Sequence, residues 1–193
     1  REMGVGTDLI VGSGWPFGGR FLEEEEIMQR LGVKKDERGP NEEIHVEMAE
    51  ALKIGNGLEP GIQIGPINNE RQLLKVQELV NDAREKGATI VCGGEKIQGT
   101  GYFFQPTVIT DLDDSFRIVK EEQFGSAIPI LTYTDIDDAI ARANGTVHGL
   151  GGSIWTEDIE HGKNLAKKLE CGTAWVNAHM LVEHSAPFGG WKQ

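Results

Sequence analysis

Short apolar strands alternate with helical segments between residues 127 and 176, and this alternation restricts the possible folds more than any other feature. The strand-like runs are residues 127–133, 149–155 and 173–176, and the gaps between them carry apolar residues at helical spacing. Strand, helix, strand, helix, strand at this spacing is typical of right-handed crossover units. We therefore predict an α/β fold with an open, mostly parallel sheet and flanking helices.

Two helices are predicted before this block. The first covers residues 44–53, and the second begins at a cap on Asn68 or Asn69 and ends near Lys86, where Gly87 stops it. One face of the second helix carries apolar residues spaced three and four apart, namely Leu73, Val76, Val80 and Ala83. This spacing predicts a helix that buries one side against a core.

The remaining elements follow from strand runs and capping residues. Extended stretches are predicted at residues 89–92 and 102–110. Thr134 and Thr156 precede the two later helical segments, and threonine is a good N-cap residue. We therefore expect each of these two threonines to start a helix.

The first 43 residues differ in texture from the rest. Residues 1–43 are rich in glycine and contain an acidic run, and their pattern predicts a strand at 8–11 and a short helix at 21–31. From residue 44 the pattern becomes regular. We therefore divide the chain into a segment of unclear fold at 1–43 and an orderly portion at 44–193.

The charge balance excludes several classes of partner. The formal net charge is −12, and an acidic surface repels nucleic acid and anionic membrane surfaces. No apolar run approaches the roughly 20 residues that span a bilayer. The two cysteines, Cys92 and Cys171, form neither a disulfide framework nor a metal-binding cluster, which fits a reducing, cytoplasmic setting.

The histidines and Ser13 match no metal-binding or nucleophile motif. His179, Glu183 and His184 share one loop, but their spacing matches no zinc pattern, so we expect ordinary loop histidines and no metal. Ser13 lies in G-S-G, whereas a nucleophile elbow needs G-x-S-x-G. No G-x-G-x-x-G follows a strand, so the dinucleotide fingerprint is absent from the sequence.

Two adjacent carboxylates, an aromatic residue and a glycine precede the strand at 127–133. Glu121, Glu122 and Phe124 belong to the segment K-E-E-Q-F-G. A carboxylate at such a junction can accept hydrogen bonds from a ribose diol, and a phenyl ring can pack on a flat heterocycle. The alternative is an exposed acidic turn beside a core phenylalanine, and composition alone favours that alternative.

A largely apolar loop follows the last strand. The run A-H-M-L-V-E-H-S-A leads into P-F-G-G, so Leu181, Val182 and Phe188 are candidates for the mouth of an apolar pocket. The alternative is a hydrophobic loop packed on its own core. The residues alone favour neither of these two interpretations.

Six sequence motifs follow one another along the chain from about residue 44. They are MAEALKIGNGLEPGIQIGPINN, GYFFQPTVITDL, EEQFGSAIPILTY, ANGTVHGLGGSIWT, CGTAWVN and APFGGWKQ. In this order and spacing they resemble the C-terminal part of the aldehyde dehydrogenase catalytic domain, over about residues 44–193. The resemblance implies that Glu122 binds the nicotinamide ribose, that Phe124 lies beside it, and that Leu181, Val182 and Phe188 line the substrate tunnel.

The resemblance also implies a reaction and partners. In this family a thiolate attacks an aldehyde, hydride passes to NAD or NADP, and water releases a carboxylic acid. The family's G-Q-x-C and E-L-G-G segments and its dinucleotide-binding half have no match here, and Ser126 stands where the family usually has proline. We therefore expect a partial catalytic domain that is inactive alone, and separately we expect it to form a homo-oligomer.

Two other functions fit the same observations. One is a repurposed hydrolase acting on an ester through a nucleophile outside the family set, with Ser13 or Cys171 as candidates. The other is a non-catalytic module that self-associates through exposed sheet edges and apolar faces.

Overall fold

A computed structural model describes residues 8–10, 41–133, 135–156 and 158–192. In chain order its elements are β1 (Asp8–Ile10), α1 (Asn41–Ala51), α2 (Glu70–Glu85), β2 (Thr89–Cys92), β3 (Thr107–Thr110), α3 (Arg117–Lys120), β4 (Ala127–Pro129), α4 (Ile136–Asn144), β5 (Gly151–Trp155), α5 (Ile159–Ala166) and β6 (Thr173–Val176). The described residues fall into two compact units. One contains residues 41–131, and the other contains β1 with residues 132–192.

The 41–131 unit is built around a three-stranded sheet with the order β2-β3-β4. β2 and β3 are antiparallel, whereas β3 and β4 are parallel and are connected through α3. Helix α1 packs on β2 and β3, where Ala49 meets Cys92 and Val108. The main core of the unit lies between α2 and the sheet.

Helix α2 forms where its sequence pattern predicts it. Asn69 is the N-cap, and its side chain accepts a hydrogen bond of 2.9 Å from the backbone N–H of Gln72. Gly87 follows the helix with a φ of +96°, a conformation that favours glycine. The predicted apolar face is buried together with one further residue, giving Leu73, Val76, Leu79, Val80 and Ala83. The predicted cap, stop and buried face are confirmed.

The second unit holds a sheet with the order β1-β5-β6. β1 is antiparallel to β5, and β5 is parallel to β6 through the crossover helix α5, which packs on both strands. Ile140, Ile154, Leu165 and Leu169 form its core cluster. The predicted strand near residues 8–11 is confirmed as β1, whereas the predicted helix at 21–31 lies outside the described residues.

The α/β class is confirmed, but the strands divide between two sheets where one mostly parallel sheet was expected. In the described part of the chain each sheet has one parallel and one antiparallel pairing. The physical reason for the β2–β3 pairing is that a loop without a helical crossover joins them, which reverses the chain direction. Consecutive strands β4 and β5 belong to different sheets.

The caps of the two later helices differ from the prediction. Asp135 caps α4 and Asp158 caps α5, each accepting backbone N–H groups of the first turn. Thr156 instead accepts the backbone N–H of Asp158, and Thr134 lies outside the described residues. Aspartate is the stronger cap because its charged oxygen also faces the positive end of the helix dipole.

None of the helices formed by the described residues is long and apolar enough to cross a membrane.

Candidate functional site

A groove of about 730 Å³ runs along the first turns of α2. It is lined by the side of the helix and by one residue of the segment after α3, namely Asn69, Glu70, Arg71, Gln72, Leu74, Lys75, Glu78 and Glu122. The groove therefore combines hydrogen-bonding groups with both signs of charge, and it contains the predicted site residue Glu122.

The neighbouring carboxylates Glu121 and Glu122 have different surroundings. Glu121 has an extended backbone, so successive side chains point to opposite sides. Its carboxylate accepts hydrogen bonds from Lys75 Nζ at 2.5 Å and from Arg117 Nε at 2.6 Å. Among the described residues, the Glu122 carboxylate has no ion-pair or hydrogen-bond partner. It is therefore the carboxylate that the groove leaves available to a ligand.

The ion pairs of Glu121 stabilise its charged form. Hydrogen bonds from Arg117 and then Lys75 lower the pKa of Glu121 to about 2 from an ordinary value of 4.5. Glu121 and Glu78 in turn raise the pKa of Arg117. At neutral pH this network fixes α3 and the following segment against α2.

Phe124 is exposed at the surface and does not belong to the core. Its side chain is 60% exposed. Its backbone has a φ of +43°, which is uncommon for a non-glycine residue and indicates a strained backbone that neighbouring contacts must stabilise. The Gln72 side chain donates to the carbonyl of Gln123, and the Gln123 side chain donates to the carbonyl of Ala127 at 2.6 Å. The interpretation as a core phenylalanine is wrong.

Gly125 allows the segment to lie against α2. A Cβ atom at this position would come within 2.3 Å of Val76 Cγ2, and Val76 is fully buried. Only glycine permits this approach without displacement of the helix. Gly125 therefore lets the segment that carries Glu122 and Phe124 pack closely on α2.

The apolar loop after β6 belongs to the other unit and is anchored on Trp175. The Trp175 ring is 8% exposed, and its Nε1–H donates to the carbonyl of Leu181 at 2.9 Å. The Phe188 ring lies with its centroid 6.5 Å from that of Trp175. Leu181, Val182 and Phe188 are 70%, 48% and 41% exposed, so they form an outward apolar surface and not a self-packed core.

His179 lies at the base of this loop, and sequence reasoning treated it as an ordinary loop histidine. Its Nδ1 shares a hydrogen bond of 2.6 Å with the hydroxyl of Ser153, which is completely buried. Its ring meets Trp175 edge-on with centroids 5.3 Å apart. Burial lowers the pKa of His179, so the neutral imidazole is favoured. Its position three residues after the end of β6 was the signal that could have identified it.

Cysteines and metal ligands offer little chemistry in the described residues. Burial raises the pKa of both Cys92 and Cys171, and the Cys171 thiol donates to the carbonyl of Thr173 at 3.2 Å. Both thiols are therefore poorly ionised at neutral pH. No group of three or more histidine, cysteine, aspartate or glutamate residues in the described ranges could hold a metal ion.

Comparison with known proteins gives one family throughout. The aldehyde dehydrogenase family model matches residues 27–193, starting upstream of the predicted residue 44. A betaine aldehyde dehydrogenase of Brucella anthropi is 39% identical over 97% of this chain and 40% of its own length. Aldehyde dehydrogenase 1A1 of Bos taurus is 41% identical over 76% of this chain and 29% of its own length.

Solved structures agree with the sequence relatives. The NAD+ complex of an aldehyde dehydrogenase from Bacillus cereus has a TM-score of 0.73 and 39% identity, covering 76% of this chain and 30% of that one. A Mycobacterium tuberculosis aldehyde dehydrogenase complexed with NAD+ has a TM-score of 0.72 and 38% identity, again over 76% of this chain and 30% of that one. The chain therefore spans less than half the length of these relatives. It belongs to the aldehyde dehydrogenase family.

Proposed function

We propose that this chain serves the NAD(P)-linked oxidation of an aldehyde to a carboxylic acid, and that Glu122 and Phe124 hold the nicotinamide ribose. The proposal is carried by the Glu122 carboxylate, which lies in the groove along α2 without a partner among the described residues and is two residues from the exposed Phe124. Family membership and relatives whose structures contain NAD+ support the choice of cofactor.

The residues present fit a ribose and a flat heterocycle. A carboxylate with both oxygens available can accept two hydrogen bonds from a cis-diol. An exposed phenyl ring offers a face on which a heterocycle packs. The nicotinamide, when bound, supplies the hydride acceptor, whereas Glu122 and Phe124 orient it and shield one side from water.

Leu181, Val182 and Phe188 are proposed to form the wall that receives the aldehyde. Their exposed apolar surface suits the body of an aliphatic or aromatic aldehyde better than a charged one. Trp175 supports this wall from below through the Leu181 carbonyl and the Phe188 ring. Substrate orientation is therefore the role proposed for this loop.

We further propose that the 193 residues do not oxidise aldehydes by themselves. The family reaction needs a thiolate nucleophile and a carboxylate base within hydrogen-bond reach of the substrate. The sequence has neither G-Q-x-C nor E-L-G-G, and Cys92 and Cys171 have raised pKa values. Binding and orientation are the contributions that remain.

Titration of the isotope-labelled chain with nicotinamide mononucleotide tests the cofactor site. Backbone amide signals of residues 121–125 are expected to shift, and the shifts should be reduced with Glu122→Gln, which keeps only one acceptor oxygen, and persist with Glu59→Gln, an exposed control. The 2′,3′-dideoxy analogue, which lacks the diol, should bind more weakly. Equal shifts with Glu122→Gln would exclude the proposed ribose contact.

The absence of turnover is tested separately. The purified chain, NAD+ and an aliphatic aldehyde are incubated while NADH absorbance is followed, and no sustained rise is expected. Sustained NADH production by the chain would refute the proposal that it is inactive alone. It would not contradict the proposed ribose site.

Hydrolysis, self-association and location stay predictions. No observation in the described residues favours ester hydrolysis, since Cys171 is poorly ionised and Ser13 lies outside the described ranges. Homo-oligomer formation is proposed from family membership, and a cytoplasmic setting from two free cysteines.

A further inference from the structure

We propose that His179 is a positioning residue that holds the loop of residues 177–190 in the shape that presents Leu181 and Phe188. The proposal rests on the proposed function only in taking this loop as the wall of a substrate pocket. The contacts of His179 with Ser153 and Trp175 carry it.

The first contact fastens the loop to the sheet. Ser153 lies in the middle of β5 and is completely buried, so its hydroxyl needs a partner inside the protein. His179 Nδ1 provides that partner at 2.6 Å. Loss of this partner leaves a buried polar group unsatisfied, which costs more than the hydrogen bond itself contributes.

The second contact, with Trp175, connects His179 to the apolar residues of the loop. The His179 ring meets Trp175 edge-on, and the indole of Trp175 contacts both ends of the wall. Its Nε1–H binds the carbonyl of Leu181, and its ring lies beside Phe188. A continuous chain of contacts therefore runs from β5 through His179 to both apolar ends of the loop.

The backbone around His179 shows why such fixation is needed. Met180 has a φ of +55°, which few residues other than glycine, asparagine and aspartate adopt unless the surroundings enforce it, and Asn177 has a φ of +51°. The Asn177 side chain is held by two hydrogen bonds of 2.8 Å to the backbone of Thr156. His179 lies between these two residues of positive φ and provides the second anchor to β5.

The indole N–H signal of Trp175, in tryptophan-labelled chain, measures this positioning directly. His179→Phe keeps an aromatic ring at this position but removes the hydrogen bond to Ser153. We expect the Trp175 signal to move and its hydrogen to exchange about tenfold faster, the change expected for one buried hydrogen bond. Signals of β2 and β3 should stay in place. Trp175→Phe assigns the signal among the four tryptophans.

The double variant Ser153→Ala/His179→Phe separates positioning from a general loss of stability. Removing the buried hydroxyl removes the unsatisfied group, so the free energy of unfolding should return toward that of the wild type, whereas the Trp175 signal and its exchange rate should stay changed because the anchor is still missing. His179→Asn, which keeps a hydrogen-bonding group near the position of Nδ1, should perturb the signal less than His179→Phe. If His179→Phe does not fold, Ser153→Ala, which removes the same hydrogen bond, takes its place: a changed Trp175 signal supports the proposal and an unchanged one overturns it.

His184→Phe is the matched control, because His184 is an exposed histidine of the same loop. It should leave the Trp175 signal unchanged. The proposal is overturned if His179→Phe leaves that signal and its exchange rate unchanged, if His184→Phe has an equal effect, or if the double variant restores the wild-type signal.

Addition of 1-hexanol, an unreactive stand-in for an aliphatic aldehyde, tests the pocket wall independently. Methyl signals of Leu181 and Val182 are expected to shift in the wild type and to shift less in His179→Phe. If hexanol leaves these methyl groups unaffected in the wild type, the pocket wall of the proposed function fails, and the indole signal alone still decides the positioning role.

Discussion

Glu121 and Glu122 stand side by side in the chain, yet their carboxylates meet different surroundings. Glu121 binds Lys75 and Arg117, whereas Glu122 faces the groove along α2. The sequence identified this pair as a candidate site, because two carboxylates before a strand were visible. The residue pattern alone could not assign the two roles, since the decisive cation Lys75 lies 46 residues away on α2, and only the family resemblance indicated Glu122.

Glu121→Gln is predicted to lower the free energy of unfolding at pH 7 by about 1 kcal/mol, a value already reduced for the solvent screening of a partly exposed pair. Because the folded pKa of Glu121 is lowered to about 2, this contribution is complete above 4.5 and is lost as the pH falls toward 2. Urea unfolding of both proteins between pH 7 and 3 measures it.

Glu122→Gln is the control for this measurement, because its carboxylate has no partner among the described residues. It should change the free energy of unfolding little at any pH. An equal loss of stability in Glu121→Gln and Glu122→Gln would contradict the division of roles between the two residues.

Helix α2 shows which elements a sequence can predict. Its cap on Asn69 and the spacing of its apolar residues are local signals, so they can be predicted from the sequence without knowledge of the tertiary structure. The N-caps of α4 and α5 are aspartates, although threonines were predicted. At the start of each helix a threonine and an aspartate lie within two residues of each other, and the sequence does not show which of them caps the helix. The anchoring of the loop after β6 was not readable, since Ser153 and His179 are 26 residues apart.

Gly125→Ala is predicted to destabilise the packing of α2 by about 1–3 kcal/mol, because the new methyl group would overlap Val76. Thermal or urea unfolding measures the loss. Gly57→Ala serves as the control, since nothing lies within 4 Å of a Cβ there, and it should change the free energy by less than about 0.5 kcal/mol. A neutral Gly125→Ala would show that the segment does not lie against α2 as described.

Asp158→Ala is predicted to cost about 1 kcal/mol, because the first turn of α5 loses the acceptor for the backbone N–H of His161, now at 2.9 Å. Asp158→Asn keeps a side-chain acceptor and should cost much less. The free energies of unfolding of the two variants are compared at neutral pH. Equal costs would mean that charge, and not the capping hydrogen bond, is what matters there.

At the scale of the whole molecule, the α/β class followed from the strand and helix rhythm, but the division of strands did not. The rhythm shows that β4, α4 and β5 follow one another, yet it carries no information on which strands pair. β1 joins β5 from about 140 residues upstream, a pairing that depends on tertiary contacts. The boundary between residues 43 and 44 stays a prediction.

The two units are predicted to differ in local stability. Among the described residues, the main cluster of the 41–131 unit has twelve buried members, whereas that of the other unit has four. Because the opening of a region is limited by the apolar surface that it buries, amides of α2 and β3 should exchange more slowly than those of α4 and α5. Native-state hydrogen exchange measures this, and the reverse order would contradict the described cores.

The most direct test of the account is a crystal structure of this chain with nicotinamide mononucleotide. The account predicts the two ribose hydroxyls within about 3.2 Å of the Glu122 carboxylate, with the nicotinamide beside the Phe124 ring and Glu121 still paired with Lys75. A nucleotide whose ribose binds another carboxylate, or lies away from the groove along α2, would contradict it.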